Sequence, residues 1–416
     1  MPLQKNQVLT LRVERLSSDG SGVAHSPDGE TVFIPGAAPG DEARVRIVKD
    51  CKRYAFGILD EVLTPSPDRI PVDCAVAGRG GCSLRHLDYA AELRAKQENV
   101  ADAFARIGGL DVPVLPIVGS PEVNRYRNKV QFPVGVDKSG KPCIGFYAGR
   151  THRIVPCPDC RLQPGVLNEI GNALCAFFAE KGIQPYSEET GRGLVRHIFL
   201  RRGAHSGQIM VCLVCTRAKL PSAEELCTRL KAQFAEITTI LLNVNAKNTN
   251  VILGTETHTL YGQGYIEDTL CGVPVQLGPL SFYQVNTLAA EQLYGIAAQY
   301  AQLTPDDLLL DLYCGMGTIG LSMAAHCREL IGVEIVPEAI ESAKANAARM
   351  GADVAAKSRF FCADAGQAAT RLAAEGLHPD IVMLDPPRKG CDEATLSAVV
   401  RMSPRRVVYV SCNPAT

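Results

Sequence analysis

The stretch IVMLDPPRKGCDEATLSAVVRMSPRRVVYVSCNPAT, residues 381–416, decides the fold. Its two apolar runs, 381–384 and 407–410, are typical of buried parallel strands. Polar residues follow each run, beginning with Asp385 after the first and with Ser411 and Cys412 after the second. Open α/β sheets place their sites at the carboxyl ends of strands, so both loops are predicted to form an active site. Cys412 is the candidate nucleophile. Alternatively, Asp385 caps the next helix and Cys412 is a buried cysteine.

Upstream, the pattern of strand followed by helix repeats, which predicts a doubly wound α/β sheet. The strands are expected at 308–313, 330–333 and 360–362. A CGMGT turn follows the first strand, Glu334 ends the second, and Asp364 follows the third. A glycine turn together with an acid at the next strand end indicates a nucleoside cofactor. The turn does not match the G-x-G-x-x-G fingerprint of dinucleotide binding. This mismatch favours the adenosine of S-adenosylmethionine as the ligand over a dinucleotide.

Length and composition narrow the class of protein. The chain has 416 residues and 46% hydrophobic residues, enough for two or three domains with packed cores. No apolar run reaches membrane-spanning length, and the first residues lack the apolar core of a signal peptide, so a cytoplasmic location is expected. The net charge is −1, so a polyanionic partner would have to be bound by local basic patches. Sixteen cysteines indicate metal ligation or a reactive thiol.

The chain is expected to be multidomain, with boundaries at residues 1–62, 63–276 and 277–416. Residues 1–62 contain short strand-like runs separated by glycines, which is typical of a small β-barrel. The segment beginning SSDGSGVAH and continuing to GDEARVRIV resembles the TRAM domain, an RNA-binding barrel of oligonucleotide-binding type. A purely structural barrel is the alternative. The middle region is predicted to be an α+β domain, after a proline-containing linker at 64–71.

Four cysteines form two pairs in the middle region, Cys74 with Cys82 and Cys157 with Cys160. The second pair is of C-x-x-C form. Together the four thiols are candidates for an iron–sulfur cluster or zinc site. Because the C-x7-C spacing of the first pair is not a recognised one, two unrelated cysteine pairs remain the alternative.

Two basic stretches lie in the same region. Residues 123–156 contain seven cations and one acid, and residues 191–219 contain six cations and no acid. Aromatic residues are interleaved in the first stretch, whose leading cations are Arg125, Arg127 and Lys129. This mixture favours contact with an RNA backbone and stacking on its bases. An ordinary solvated sheet face is the alternative.

The motifs FYQVN, DLYCGMGTIGL, GVEIVPEAIESAKANA, LDPPRKG and VSCNPAT together resemble the RNA uracil-C5 methyltransferases. The TRAM-like start, the cysteine region and the NRYRNK segment extend the resemblance over nearly the whole chain. They resemble the branch that carries an iron–sulfur cluster and modifies 23S ribosomal RNA. The resemblance implies a Rossmann-like methyltransferase sheet, a monomer when full length, an iron–sulfur site of 4Fe–4S type, and Cys412 as nucleophile. It also implies an S-adenosylmethionine site lined by Gln284, Tyr313, Thr318, Glu334, Asp364 and Asp385.

The residues agree with this chemistry, because C5 of uracil attacks a methyl sulfonium only after a thiolate has added to C6. Two departures from the family pattern are expected to matter. Arg79 stands where the family has a middle cysteine, and Cys157 is an additional cysteine that replaces it. The chain also ends soon after Cys412, before the family's glutamate base, so the methyltransferase sheet is expected to be incomplete. The alternatives are an RNA cytosine-C5 methyltransferase and a non-catalytic RNA-binding or assembly factor.

Overall fold

The computed structural model describes residues 3–74, 76–78, 81–149, 151–247 and 249–416. Arg79 of the first cysteine segment and Arg150 of the first basic stretch lie outside these ranges. None of the helices in the described part of the chain combines the length and the apolar character needed to span a bilayer.

Nineteen strands and nine α-helices are present in the described ranges. The strands are β1 (Val8–Leu16), β2 (Ser21–His25), β3 (Thr31–Pro35), β4 (Glu42–Asp50), β5 (Tyr54–Thr64), β6 (Lys129–Val136), β7 (Pro142–Tyr147), β8 (Ile154–Pro156), β9 (Val195–Arg202), β10 (Ile209–Cys215), β11 (Ile237–Val244), β12 (Glu256–Tyr261), β13 (Ile266–Leu270), β14 (Val273–Leu277), β15 (Leu308–Leu312), β16 (Glu329–Glu334), β17 (Ser358–Cys362), β18 (Ile381–Leu384) and β19 (Arg406–Tyr409). The helices are α1 (Tyr89–Asp102), α2 (Gly165–Glu180), α3 (Ala223–Gln233), α4 (Thr287–Ala301), α5 (Thr318–Met323), α6 (Pro337–Arg349), α7 (Ala352–Lys357), α8 (Ala365–Ala374) and α9 (Glu393–Met402).

The chain forms two compact units, of which the first comprises residues 1–119, 144–160 and 415. Its strands β1 to β5 close into a barrel in the order β1-β2-β3-β5-β4. Apolar residues alternate with exposed polar ones along β1 and β4, so one face of each strand fills the barrel. The predicted barrel is confirmed. Strand β2 was not predicted, because its Ser-Gly start matches a turn as well as a strand.

The second unit comprises residues 120–143, 161–414 and 416. One part of it is a sheet in which five strands follow the order β12-β11-β10-β9-β6. Strands β9 and β10 are buried along almost their whole length. The sequence of β10 is apolar, whereas β9 also buries Arg196, His197 and Arg201. A short antiparallel pair, β13 and β14, leads from this sheet to α4.

The other part of the second unit is a parallel sheet of five strands in the order β17-β16-β15-β18-β19. The predicted strand at 381–384 coincides with β18, and the other predicted strands of this sheet lie within two residues of the observed ones. Strand β15 occupies the middle, with β16 on one side and β18 on the other. Separate apolar clusters pack on the two faces of the sheet. The carboxyl ends of all five strands therefore lie along one edge, where the predicted site residues follow.

Candidate active site at the carboxyl edge of the parallel sheet

The turn after β15 has a backbone shape that few residues adopt. Tyr313, Gly315 and Gly317 all have positive φ, of 67°, 56° and 79°. A Cβ atom on Gly317 would lie 3.1–3.3 Å from Leu321, Ala343 and Phe360, so a side chain there would press into packed neighbours. A non-glycine residue with positive φ is uncommon, and such strain is concentrated at functional sites. The turn therefore depends on its glycines, and it brings backbone without side chains at those two positions to the end of β15.

Glu334 ties this turn to the end of the neighbouring strand. One carboxylate oxygen accepts from the backbone N–H of Gly315 at 3.2 Å, and the other accepts from the N–H of Val336 at 3.0 Å. The side chain is half-buried. The predicted pair of glycine turn and acidic strand end is therefore in direct contact. Such an arrangement fits a nucleoside whose ribose hydroxyls donate to the carboxylate.

Tyr313 and Thr318 lie on opposite sides of the turn. The Tyr313 hydroxyl is 3.5 Å from the hydroxyl oxygen of Thr395, and partial burial raises its pKa to about 12. Thr318 is buried and its hydroxyl lies 3.3 Å from that of Tyr294. Burial raises the pKa of Tyr294 to about 12 as well. Both tyrosines are therefore neutral and available as hydrogen-bond partners at neutral pH.

Asp364 and Asp385 occupy different surroundings, although each follows a strand. Asp364 caps α8 by accepting from the backbone N–H of Gln367 at 3.1 Å. Asp385 caps no helix, because Asp392 fills that position on α9. Asp385 is half-buried, and burial raises its pKa to about 6. The alternative reading of Asp385 as a helix cap is therefore wrong, whereas that role applies to Asp364.

Cys412 is exposed, so the alternative that it is one more buried cysteine is also wrong. The backbone N–H of Val410 donates to the carbonyl of Leu384 at 2.8 Å, which keeps the ends of β18 and β19 in register. Beyond Cys412, the N–H of Asn413 donates to the Ser411 hydroxyl oxygen at 3.1 Å, forming a tight local turn. The thiol thus follows β19, and Asp385 follows the neighbouring strand β18.

Sequence reasoning did not identify Asp311, which lies in the middle of β15. It pairs with Gly332 on one side and Met383 on the other, two residues before Glu334 and Asp385. Because side chains alternate along strands, all three carboxyls lie on one face of the sheet. The single acid within the apolar run LLLDL was a signal that could have found it.

The Asp311 carboxyl is almost completely buried. One oxygen accepts from the backbone N–H of Gly320 at 3.0 Å, and among the described residues the other has no hydrogen-bond partner. Burial, together with the nearby charges of Asp385 and Glu334 and against the lowering effect of the Gly320 bond, raises its pKa to about 8. A cationic ligand would relieve this concentration of carboxyls, and the sulfonium of S-adenosylmethionine is such a cation. The residues present therefore fit that cofactor.

Gln284 lies in the segment before α4 and is half-buried. Its backbone carbonyl accepts from the Asn128 side-chain amide at 2.7 Å. Asn286, two residues later, caps α4 by accepting from the N–H of Ala289 at 3.2 Å. The FYQVN motif is thus fixed at two points: the backbone carbonyl of Gln284, and Asn286, which caps the start of α4.

The three predicted RNA-binding cations are all half-buried. Arg125 has a positive φ of 60°, and its guanidinium donates to the carbonyl of Gln163 at 3.2 Å. Lys129 begins β6 opposite Arg201, and burial, followed by the charges of Arg201 and Arg127, lowers its pKa. The cations are therefore close together, at one end of the five-stranded sheet.

The four predicted metal-binding cysteines belong to the first unit and interact with one another. A contact with Cys160, then burial, then proximity to Cys74 raise the pKa of Cys157. Burial, then Cys160 and Cys74, raise the pKa of Cys82. Within the described ranges, however, no three His, Cys, Asp or Glu side chains are placed to hold a metal ion. Thiols are the ligands that an iron–sulfur cluster needs. In the part of the chain that the structure describes, the side chains are nevertheless not arranged as a complete metal site.

Comparison with known protein families gives two matches. Residues 204–416 match the family described as tRNA (Uracil-5-)-methyltransferase, and residues 2–59 match the TRAM domain. The second match covers the barrel strands β1 to β4 and the first half of β5.

Curated relatives align along the whole chain. An uncharacterized RNA methyltransferase of Halalkalibacterium halodurans is 42% identical, and one of Clostridium tetani is 39% identical. Each alignment covers 100% of this chain and 90% of the relative. Among solved structures, the Pyrococcus abyssi tRNA (uracil-54, C5)-methyltransferase in complex with S-adenosyl-L-homocysteine is similar, with a TM-score of 0.76 and 25% identity. That similarity covers 98% of this chain and 91% of the archaeal one.

Proposed function

Because the chain belongs to the family of S-adenosylmethionine-dependent RNA uracil-C5 methyltransferases, we propose that it methylates C5 of a uridine in 23S ribosomal RNA through a Cys412 adduct. The observation that carries the mechanism is that the exposed Cys412 follows β19, the strand paired with β18, which Asp385 follows. The cytosine-C5 and non-catalytic alternatives lose support, because the matched family acts on uracil.

Cys412 acts as the nucleophile in this mechanism. Its thiolate adds to C6 of the target uracil, and the C5–C6 π electrons move to form an enolate at C4–C5. S-adenosylmethionine, when bound, would supply the methyl group: C5 would bond to the methyl carbon as the methyl–sulfur bond breaks, and S-adenosylhomocysteine would be the leaving group. A base then removes the C5 proton, and the electron pair of that bond re-forms C5=C6 and expels the thiolate. Exposure of Cys412 lets an RNA base that has left its stack reach the thiol.

Asp385 is proposed to hold the uracil edge and to line the cofactor site. With a pKa of about 6 it is mostly ionised at neutral pH, so it can accept a hydrogen bond from uracil N3–H. Gln284, Tyr313, Thr318 and Glu334 are proposed as the other cofactor-binding residues. Asp364 belongs to the same proposed set, at the end of β17, with one oxygen already engaged in capping α8.

A covalent-trapping experiment tests the mechanism. RNA carrying 5-fluorouracil at the target should remain attached to the protein after methylation, because fluorine at C5 cannot leave as a proton does. Cys412→Ser should abolish the adduct while S-adenosylhomocysteine affinity stays within twofold of the wild type. Cys362→Ser is the matched control, since Cys362 is also exposed, and it should trap RNA normally. An adduct that persists in Cys412→Ser would refute the assignment of the nucleophile.

The proposal of 23S ribosomal RNA rests on the combination of a TRAM domain and a cysteine region. Transfer RNA is the second candidate, because the matched family and the similar archaeal structure are both named for it. Unmodified 23S ribosomal RNA and transfer RNA transcripts, each incubated with labelled cofactor, decide between them. Incorporation into transfer RNA alone would overturn the ribosomal proposal.

Arg125, Arg127 and Lys129 are proposed to contact the RNA backbone. Replacing Arg127 by alanine should weaken RNA binding and lower the salt dependence, with about one unit of slope lost per phosphate contact. Lys344→Ala is a control, because Lys344 is an exposed cation on α6 that pairs with Glu341. An unchanged slope in Arg127→Ala would place the RNA elsewhere.

We also propose a 4Fe–4S cluster held by Cys74, Cys82, Cys157 and Cys160. The support is the mutual interaction of these thiols within one unit. Anaerobically purified protein should contain iron and absorb broadly in the visible range, and both properties should be lost in Cys160→Ser and in Cys157→Ser. Cys175→Ser, at a buried cysteine of helix α2, should keep them. Protein without iron would refute the cluster. Stoichiometric zinc in that protein would show that the four thiols form a zinc site instead.

A further inference from the structure

The segment that carries Gln284 is held by two buried polar side chains, Arg201 on β9 and Asn128 directly before β6. The Arg201 guanidinium donates to the carbonyls of Gly278 and Ser281 at 2.7 and 2.8 Å. The Asn128 side-chain amide donates to the carbonyl of Gln284 at 2.7 Å and to the Thr287 hydroxyl at 2.9 Å. Both donors are almost fully buried, at 1% and 4% exposure. Hydrogen bonds of this kind cost most when one partner is removed, because the other stays buried without water.

Asn128 is held in place by its own backbone. Its N–H donates to the carbonyl of Val285 at 2.8 Å, and its carbonyl accepts from the N–H of Arg202 at 2.8 Å. Arg127 and Asn286 also form a backbone bridge beside it. Asn128 thus contacts the 284–287 segment through both main chain and side chain, which fixes the backbone of Gln284 from one side.

The segment is fixed at a further point by Tyr283. Its buried hydroxyl lies 3.1 Å from a carboxylate oxygen of Asp268 and 3.1 Å from the carbonyl of Thr269. By contrast, Leu280 and Phe282 in the same segment are 65% and 75% exposed. The segment is therefore anchored by hydrogen bonds at residues 278, 281 and 283–285, while the exposed side chains of Leu280 and Phe282 add little apolar burial.

We propose that Asn128 is a positioning residue for the cofactor, which acts by fixing the orientation of Gln284. This inference rests on the proposed assignment of Gln284 to the cofactor site. It gives the NRYRNK segment a second role, since Asn128 lies between the proposed RNA-binding residues Arg127 and Lys129. Without the Asn128 amide, the Gln284 carbonyl and the Thr287 hydroxyl lose a shared donor, and Gln284 samples orientations that do not bind cofactor.

The test is a double-mutant cycle measured as the affinity for S-adenosylhomocysteine by calorimetry. Asn128→Ala should weaken binding about tenfold, the equivalent of one buried hydrogen bond. In a Gln284→Ala background the same change should have no further effect, because a residue that acts through Gln284 has nothing left to position. Asn128→Asp keeps the volume but replaces the donor by an acceptor, so it should weaken binding at least as much as Asn128→Ala.

Asn243→Ala is the matched control. Asn243 is fully buried, and its side-chain amide also donates to backbone carbonyls and to a threonine hydroxyl, at Gly254, Glu256 and Thr257. It lies on β11, so its loss should lower stability and leave the affinity for S-adenosylhomocysteine unchanged. If Asn128→Ala does not fold, Thr287→Val removes one of the two acceptors and should give a smaller loss that also vanishes in Gln284→Ala.

The outcomes separate the inference from the proposed function. If Gln284→Ala binds S-adenosylhomocysteine as well as the wild type does, the assignment of Gln284 to the cofactor site fails. If Gln284→Ala weakens binding but the effect of Asn128→Ala adds to it in full, the positioning role of Asn128 fails. An Asn128→Ala affinity within twofold of the wild type would overturn the inference directly.

Discussion

The barrel of the first unit and the parallel sheet of the second unit each bury an aspartate, Asp41 and Asp311, with 0% and 1% exposure. Asp41 accepts hydrogen bonds from Arg69 and from the backbone N–H groups of Ala38 and Ser66. Although burial alone would raise its pKa, these bonds and the Arg69 charge lower it overall. Asp311 has one backbone donor and two acidic neighbours, and burial raises its pKa to about 8.

The difference shows how the partners of a buried acid distinguish a structural role from a functional one. Three donors compensate the desolvation of Asp41, which is what a residue that stabilises a fold needs. Among the described residues, a single backbone donor compensates the desolvation of Asp311 only in part, and perturbed carboxyls of this kind cluster at functional sites. The parallel sheet thus retains an acidic face that a cation can occupy, whereas the barrel retains none at Asp41.

The largest expected effect is on the barrel. Arg69→Met should lower the free energy of unfolding by about 3 kcal/mol, because a buried carboxylate loses its charged partner. Urea denaturation followed by far-UV circular dichroism measures this, since the chain has no tryptophan. Arg46→Met is the control, because Arg46 pairs with Asp60 at the surface and should cost less than about 1 kcal/mol. Equal losses in the two variants would show that Asp41 does not depend on its ion pair.

A second experiment alters the residue whose backbone N–H is, among the described residues, the one hydrogen-bond donor to the Asp311 carboxylate. A Cβ atom on Gly320 would lie 2.8 Å from the Asp311 carboxylate and 2.8 Å from the Leu330 side chain. Gly320→Ala should therefore lower the free energy of unfolding by about 2 kcal/mol through overpacking. It should also weaken S-adenosylhomocysteine binding, because the adjoining turn shifts.

Gly295→Ala is the matched control for that change. Gly295 lies within helix α4, and a Cβ atom there would have no neighbour within 4 Å. The substitution should raise the free energy of unfolding by up to about 1 kcal/mol, since alanine favours helix more than glycine. If both glycine variants are equally stable, the contact between Gly320 and Asp311 does not constrain the sheet.

Comparing these two regions also shows which features the sequence could predict. Apolar strands that end in polar residues are local patterns, and β18 was located to the residue from such a pattern. The catalytic candidates Asp385 and Cys412 follow from the same rule, because strand ends of a parallel sheet meet at one edge. The barrel was predicted from the spacing of its turns.

The roles of Asp311 and Asn128 depend on partners distant in the chain, which no local pattern encodes. Asn128 contacts residues more than 150 positions away, and its neighbours Arg127 and Lys129 directed attention to RNA instead. Asp311 is the single polar residue in an apolar strand. The apolar pattern predicts the same strand with or without this aspartate, so the prediction of the strand gives no reason to single it out. Polar residues within otherwise buried runs are therefore the positions where sequence patterns explain least.

The last expected effect is a difference in pH dependence. The folded pKa of Asp311, about 8, is above the value of about 4 in an unfolded chain. Between these values the native state binds more protons than the unfolded state, so stability falls as pH rises, by about 1 kcal/mol per pH unit. Asp41 has the opposite sign: its lowered pKa adds stability above about pH 4, which is lost as pH falls through the folded value. Asp311→Asn should therefore remove the fall in stability between about pH 4 and pH 8, and leave the loss at lower pH that Asp41 contributes. Denaturation of both proteins at pH 6, 7 and 8 measures the slope. Because the other titrating groups are common to the two proteins, parallel curves would mean that Asp311 is already ionised in the fold.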